Sequence, residues 1–240
     1  MIRQTNNGKT KLFLAIGLIG LFAVLTGFST TFLIPLSKGT FKAPTIIYIH
    51  GFFSFSWICL FIIQSLLIQN NKFKQHRLLG ILGVFIAIGI TVTIVPAGLY
   101  QIEKELRQGL GQTAISNALG IITSPLLFIS VVIAGILKRN DHSSHKRLML
   151  LATILLLWPA WFRFRHIFPS VPNPEIWFAI VLSDFLIIIS FIWDKMTNGK
   201  INPTLLYVGL FIIIEHIVEA YMFDNYLWRE LANEIYRILR

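Results

Sequence analysis

The chain is built from long apolar segments, almost free of charge, that follow one another from Leu12 to Met222 with short charged loops between them. The hydrocarbon core of a bilayer is about 30 Å thick, so a helix rising about 1.5 Å per residue needs roughly 20 residues to cross it. Segments of this kind, long enough or nearly so, cover residues 12–34, 44–68, 78–100, 114–137, 148–168, 176–193 and 204–222. They predict an all-α fold: a polytopic transmembrane helix bundle of about seven spans in a single integral membrane domain, residues 1–240.

The composition supports this class and excludes others. Hydrophobic residues make up 55% of the chain and charged residues only 13%, whereas a soluble domain usually carries roughly 25% charged residues. The net charge of +10 comes from residues in the short loops, where topogenic charge and contact with anionic lipid explain it, so we expect the lipid bilayer and no nucleic acid as a partner. The lone Cys59 lies within a span, which excludes an intrachain disulfide and a Cys-rich metal site.

The loop charges predict the orientation. Cytoplasmic loops of membrane proteins carry an excess of Lys and Arg, and alternate loops of this chain differ in that respect. One side carries Arg3, Lys9, Lys11, Lys72, Lys74, Arg77, Lys138, Arg139, Lys146, Arg147, Lys195 and Lys200, and the other carries Lys38, Lys42, Lys104, Arg107, Arg163 and Arg165. We therefore expect a cytoplasmic N-terminus and an external C-terminus.

The end of the chain is the part whose placement depends on the last span. Segment 204–222 carries Glu215, His216 and Glu219, and if it does not cross, the C-terminus moves inside. The tail 224–240 is predicted to be an amphipathic helix with Leu227, Leu231, Ile235 and Ile238 on one face, packed on the membrane interface or on the bundle.

Two short stretches of the chain are alike. Lys74-Gln75-His76-Arg77-Leu78-Leu79 and Ser144-His145-Lys146-Arg147-Leu148-Met149 each open a span on the cytoplasmic side. The helix pairs 44–100 and 114–168 are therefore candidates for parallel repeats. Chance and topogenic pressure are the alternative explanation.

Several of these residues also carry a resemblance. His50 with Trp57, Leu60-Phe61 and Gln64, then His76-Arg77-Leu78-Leu79-Gly80, then the stretch from His145 to Thr153 resemble a group of uncharacterised bacterial multi-pass membrane proteins. More distantly, the chain is similar to membrane proteins of cytochrome oxidase assembly and to cytochrome b561-like haem proteins. The resemblance implies a bacterial inner (cytoplasmic) membrane location, haem as a cofactor and subunits of a respiratory complex as partners. The chain departs from the b561 pattern because its histidines do not form two clear cross-membrane pairs.

Histidines near the outer boundary are the first candidate site. By helical rise, His50 and His216 lie about 9 Å below that boundary, with His166 at about 3 Å and Glu219 at about 4.5 Å. Imidazole binds haem iron and transition metals, and separate helices can supply two axial ligands. This pattern favours a haem or metal site with His50 and His216 as ligands, Glu219 and Glu215 for mixed ligation, and Arg163 as a partner for a propionate. A polar network without metal is the alternative.

Asp184 is the candidate for a different chemistry. It lies in the middle of the sixth span, and Arg163 in the fifth is its expected partner, so the pair predicts either a proton or ion path or a lock between two helices. An ion- or proton-coupled transporter that uses Asp184, Arg163, Glu215 and Glu219 is therefore the alternative function, and a non-catalytic membrane scaffold is a third.

His76 and His145 lie at the cytoplasmic ends of their spans, beside basic residues. Contact with lipid headgroups is the simpler interpretation of their position. If the two helix pairs are repeats, His76 and His145 are instead predicted to form an inner ligand pair.

Overall fold

The computed structural model describes residues 6–240, which form α-helices joined by short turns without any β-strand. The predicted all-α bundle is confirmed. The principal helices are α1 (Asn6–Gly27), α2 (Thr45–Gln69), α3 (Phe73–Arg107), α4 (Gln112–Leu137), α5 (His142–Leu155), α6 (Leu182–Asn198), α7 (Pro203–Met222) and α8 (Tyr226–Leu239). Between them lie short helical turns: π-helical Ser29–Leu33 and Glu175–Val181, α-helical Ile34–Ser37 and Trp158–Phe162, and 3₁₀-helical Arg163–His166.

The predicted spans match helical segments of sufficient length and hydropathy. Within residues 6–240, six segments qualify directly: Thr45–Gln69, Phe73–Arg107, Gln112–Leu137, His142–His166, Glu175–Asn198 and Pro203–Met222. The pair Lys11–Gly27 and Ser29–Ser37, bent by 47° at the break between them, makes a seventh if it is one span. The last span, with its Glu and His residues, is as long as a crossing requires.

The bend in the first span coincides with a close approach of two backbones. A Cβ at Gly27 would collide with the carbonyl oxygen of Ala160, so only glycine allows α1 to meet the short helix Trp158–Phe162 at this point. The π-helical turn Ser29–Leu33 begins two residues later. Together they turn the end of the span away from the axis of α1.

Helix α5 lies at the centre of the bundle. About 67% of its span is buried inside the protein, against 17–39% for the other five spans, and Leu150, Leu151 and Ile154 are fully buried. Helix α5 is in contact with α1, α2, α4, α6 and α7. Helix α3 packs against α2 and α4. Large apolar side chains such as Phe52, Val92 and Tyr221 are exposed, as expected for surfaces that face lipid.

The helix pairs of the predicted repeat are packing units. α2 packs along α3, and α4 packs along α5. The helix order is therefore compatible with two successive helix pairs. The parallel repeat itself stays a prediction.

The C-terminal helix α8 packs on α4, in agreement with one of the two predicted placements. Of the predicted apolar face, Ile235 packs against the buried Trp228 and Ala232, whereas Leu227, Leu231 and Ile238 are exposed. The Trp228 indole donates its Nε1–H to the backbone carbonyl of Ser116 at 2.9 Å, which satisfies a group that is costly to bury without a partner.

Candidate functional site

The most buried acidic side chain of the candidate site is Asp184, which is 7% exposed on α6. Its Oδ1 lies 2.8 Å from Nδ1 of His216 on α7. Its Oδ2 is also buried and has no hydrogen-bond partner within residues 6–240. Asp184 follows the π-helical turn Glu175–Val181 by three residues, and such turns are frequent at functional sites because they interrupt the regular helical ladder.

Two further carboxylates lie beside this pair. Glu215 Oε2 is 3.9 Å from His216 Nε2, and Glu219 is close enough for its charge to act on His216 as well. Glu219 lies against α4 at Gly120, where a Cβ would sit 3.1 Å from Glu219 Oε1. We call Asp184, Glu215, His216 and Glu219 the acidic cluster. It joins α6 and α7 and faces α4.

Arg163 does not pair with Asp184, contrary to the sequence prediction. The guanidinium donates from Nη1 to the carbonyl oxygen of Pro159 at 2.8 Å and stacks over the ring of Phe28 at 4.1 Å. The reason is local: α5 ends at Leu155, and the short helix Trp158–Phe162 continues as a 3₁₀ turn. Arg163 therefore has a backbone acceptor and an aromatic ring at short range. The partner of Asp184 is a histidine instead.

His50 belongs to a second polar group, between α2 and α3. Its Nδ1 is 2.9 Å from Thr93 Oγ1, and Thr93 donates its hydroxyl proton to the carbonyl of Gly89 at 2.6 Å. Nδ1 of His50 is therefore the donor, which leaves the lone pair on Nε2, 3.5 Å from the hydroxyl of Ser54. Arg163 is close enough for its charge to act on His50.

The histidines predicted to converge near the outer boundary have separate surroundings. His50 is bonded between α2 and α3, His216 is bonded to α6, and His166 is exposed at the end of its 3₁₀ turn. Within residues 6–240, no three side chains of His, Cys, Asp or Glu form a group that could hold a metal ion. Ligation by His50, His216 and Glu219 stays a prediction.

His76 and His145, by contrast, are in contact at the other end of the bundle. Their ring centroids are 6.3 Å apart with the planes nearly perpendicular. His145 Nδ1 is 2.8 Å from the carbonyl oxygen of Gly135. His76 Nδ1 is buried and has no hydrogen-bond partner in the part of the chain that the structure describes.

Sequence reasoning missed a buried ion pair at the same end. Arg147 of α5 and Asp194 of α6 are each 6% exposed at the side chain and form two hydrogen bonds, one of them from Nε at 3.1 Å. Asp194 also accepts from the backbone N–H of Asn202 at 2.7 Å and from the amide of Asn198 at 2.7 Å. The carboxylate of Asp194 thus accepts four hydrogen bonds, from α5, from α6 and from the residue before α7. A buried ion pair whose groups are all satisfied fixes the arrangement of these helices. The signal in the sequence was Asp194 itself, the only acid near the inner end of the sixth span.

The sequence analysis also did not predict the buried hydrogen bond between Trp57 and Thr153. Trp57 Nε1 donates to Thr153 Oγ1 at 3.1 Å, and Thr153 in turn donates to the carbonyl of Met149 at 2.8 Å. Both residues belong to the stretches that carry the resemblance described above, which the fold thus brings together between α2 and α5.

Comparisons with protein-family models, curated proteins and solved structures found no match. The resemblance to bacterial multi-pass proteins stays a prediction. The structural result is the coarser one: a multi-pass, all-α membrane protein with several buried polar groups between its helices.

Proposed function

We propose that the protein is a proton-coupled membrane transporter in which the acidic cluster takes up and releases the proton. The observation that carries this proposal is the state of Asp184: one buried oxygen bonds to His216, and the other has no partner. An acid persists in a span only where a partner or a purpose offsets its high cost. Burying an unpaired anionic oxygen is costly, and that cost falls when Asp184 is neutral.

The geometry supports an order of proton transfer. Glu219 lies nearer the end of α7 than His216, and Glu215 faces His216 Nε2 at 3.9 Å. A proton that reaches Nε2 makes His216 a cation, and the proton on Nδ1 then passes 2.8 Å to Asp184. His216 returns to its neutral form, and Asp184 holds the proton until the far side accepts it.

Flux in proteoliposomes tests this proposal. Purified protein is reconstituted with a trapped pH-sensitive dye, and a potassium diffusion potential set with valinomycin drives proton entry. We expect Asp184→Asn to lower proton flux to that of empty liposomes, because the amide keeps the size of the side chain but cannot exchange a proton. The matched control is Glu103→Gln, which neutralises a carboxylate that is 49% exposed at the end of α3.

Equal proton flux in the Asp184→Asn variant and the unchanged protein would overturn the proposal. A flux that disappears in both Asp184→Asn and Glu103→Gln would show damage by charge loss alone. That result would also count against a specific role for the cluster.

Haem or metal binding at His50 and His216 is the second candidate, and one observation favours it. A carboxylate that accepts from one imidazole nitrogen, as Asp184 does from His216, is the usual arrangement that orients a histidine toward a metal with its other nitrogen. Asp184 would then orient His216, and Arg163 would pair with a propionate. A reduced-minus-oxidised visible spectrum and elemental metal analysis of the purified protein test this candidate. We expect His50→Ala or His216→Ala to remove the signal, and its retention in both variants would exclude the site.

A further inference from the structure

The inner pair His76 and His145 carries an inference that is independent of the acidic cluster. The two imidazoles come from the first turns of α3 and α5, helices that are not neighbours in sequence. The hydrogen bond of His145 and the unpaired nitrogen of His76 decide what the pair can bind.

The tautomer of His145 follows from its partner. A backbone carbonyl only accepts hydrogen bonds, so Nδ1 of His145, 2.8 Å from the Gly135 oxygen, must carry the proton. The lone pair is then on Nε2. This is the arrangement of an imidazole ligand: one nitrogen fixed by a backbone carbonyl and the other open to a metal.

His76 and Gln64 add two polar atoms without partners. Nδ1 of His76 and Oε1 of Gln64 are both buried and unpaired, and burying such an atom unpaired costs free energy. The Gln64 amide donates from Nε2 to the backbone carbonyl of His76 at 3.1 Å, which places the carboxamide beside His76. The unpaired carboxamide oxygen of Gln64 can accept a hydrogen bond or act as a neutral oxygen ligand of a metal.

We propose that His76, His145 and Gln64 bind a divalent transition-metal ion of the kind that imidazole prefers, such as Zn²⁺ or Cu²⁺. The site lies at the end of the bundle that carries the predicted cytoplasmic charges. Its donors are neutral, and the positive charge of Arg77 acts on it. The site therefore binds more weakly than one that contains a carboxylate.

Calorimetric titration of the detergent-purified protein with Zn²⁺ tests the site, using a purification tag that contains no histidine. We expect one ion per chain, and affinity at least about 100-fold lower in His76→Ala and in His145→Ala, because even changes outside the ligand set weaken metal binding about 10–100-fold. The matched control is His142→Ala, an exposed histidine in the same turn of α5, which should keep the affinity of the unchanged protein. His50→Ala and His216→Ala should also keep it.

A second measurement does not depend on the variants. The electron paramagnetic resonance spectrum of Cu²⁺ bound at one equivalent should show coupling to imidazole nitrogen. Its absence, or zinc affinity that is lost in His50→Ala or His216→Ala but kept in His76→Ala, would overturn the inner site. Proton flux in liposomes is a separate readout, so failure of this site and failure of the transport proposal can be told apart.

Discussion

At the scale of single residues, two threonine hydroxyls connect the helices. Thr93 accepts from His50 Nδ1 and donates to Gly89, and Thr153 accepts from Trp57 Nε1 and donates to Met149. In each pair an aromatic N–H of α2 is satisfied by a hydroxyl whose proton is already used within its own helix. The hydroxyl therefore acts purely as an acceptor, and only a side chain with an oxygen at that position replaces it.

Thr153→Val tests this assignment. Valine keeps the shape but leaves the buried Trp57 N–H unpaired, which should cost about 1–3 kcal/mol of stability. We expect a lower midpoint of thermal unfolding in detergent for Thr153→Val, and a midpoint close to that of the unchanged protein for Thr153→Ser, which keeps the hydroxyl. Equal midpoints for the two variants would contradict the role of the hydrogen bond.

The sequence identified the intramembrane polar residues but not their partners. Asp184, His216 and His50 stand out because a polar group in an apolar run is rare. Which of them meet depends on the rotation of each helix about its axis, and that rotation is set in part by small residues at close helix contacts, such as Gly27. The predicted Asp184–Arg163 pair was wrong for a different reason: the fifth span is broken before Trp158, and Arg163 bonds to the carbonyl of Pro159 instead.

At the scale of elements, a short polar junction attaches α8 to the bundle. Asp224 has a left-handed backbone (φ 62°) and accepts two hydrogen bonds from Arg229, at 2.9 and 2.6 Å. It also accepts from Ser116 at 2.6 Å and from Thr113 at 3.0 Å, both on α4. These bonds, above all those from Arg229, outweigh partial burial and lower the pKa of Asp224 to about 2.

The attachment of α8 should therefore depend on pH. A carboxyl whose pKa is lowered by folding stabilises the folded state above its ordinary pKa near 3.9, and that stabilisation is lost as the pH falls toward 2. We expect protease cleavage between α7 and α8 to rise as the pH is lowered from 5 to 2, measured with an acid-active protease on the detergent-purified protein. In Asp224→Asn, which tolerates the left-handed backbone, cleavage should be high already at pH 5. A variant that remains as resistant as the unchanged protein at pH 5 would refute the role of Asp224.

At the scale of the whole molecule, hydropathy was sufficient to predict the architecture. The apolar segments of the sequence correspond to the helical spans of the structure, with α3 longer at both ends than predicted. Span positions follow from the sequence because the bilayer imposes length and polarity on every helix alike. The order in which helices pack around α5 does not follow from the sequence. Because lipid tails are as apolar as the helix surfaces, the fit between helix shapes decides which helices are neighbours.

The orientation of the molecule is a prediction of the loop charges. Gln108 and Asn140 are exposed at opposite ends of α4 and suit labelling by a membrane-impermeant maleimide. In a Cys59→Ser background on intact spheroplasts, we expect Gln108→Cys to be labelled and Asn140→Cys to be labelled only after lysis. The reverse pattern would place the N-terminus outside and with it the inner histidine pair.

Helix α3 is longer than a membrane crossing requires, so part of it is expected to extend from lipid into water. Its 35 residues extend about 52 Å, some 20 Å more than the thickness of the hydrocarbon layer. Near its C-terminal end, Ile102 joins Ala118, Trp228 and Ala232 in a small cluster apart from the main core. Because the predicted span ends at residue 100, we expect water to border this cluster, so that the hydrophobic effect holds it together and cooling weakens it. The bundle beneath has no such drive, because its apolar surfaces leave lipid rather than water. The two parts should accordingly come apart under different stresses, the outer cap in cold or in urea and the bundle when its lipid is replaced.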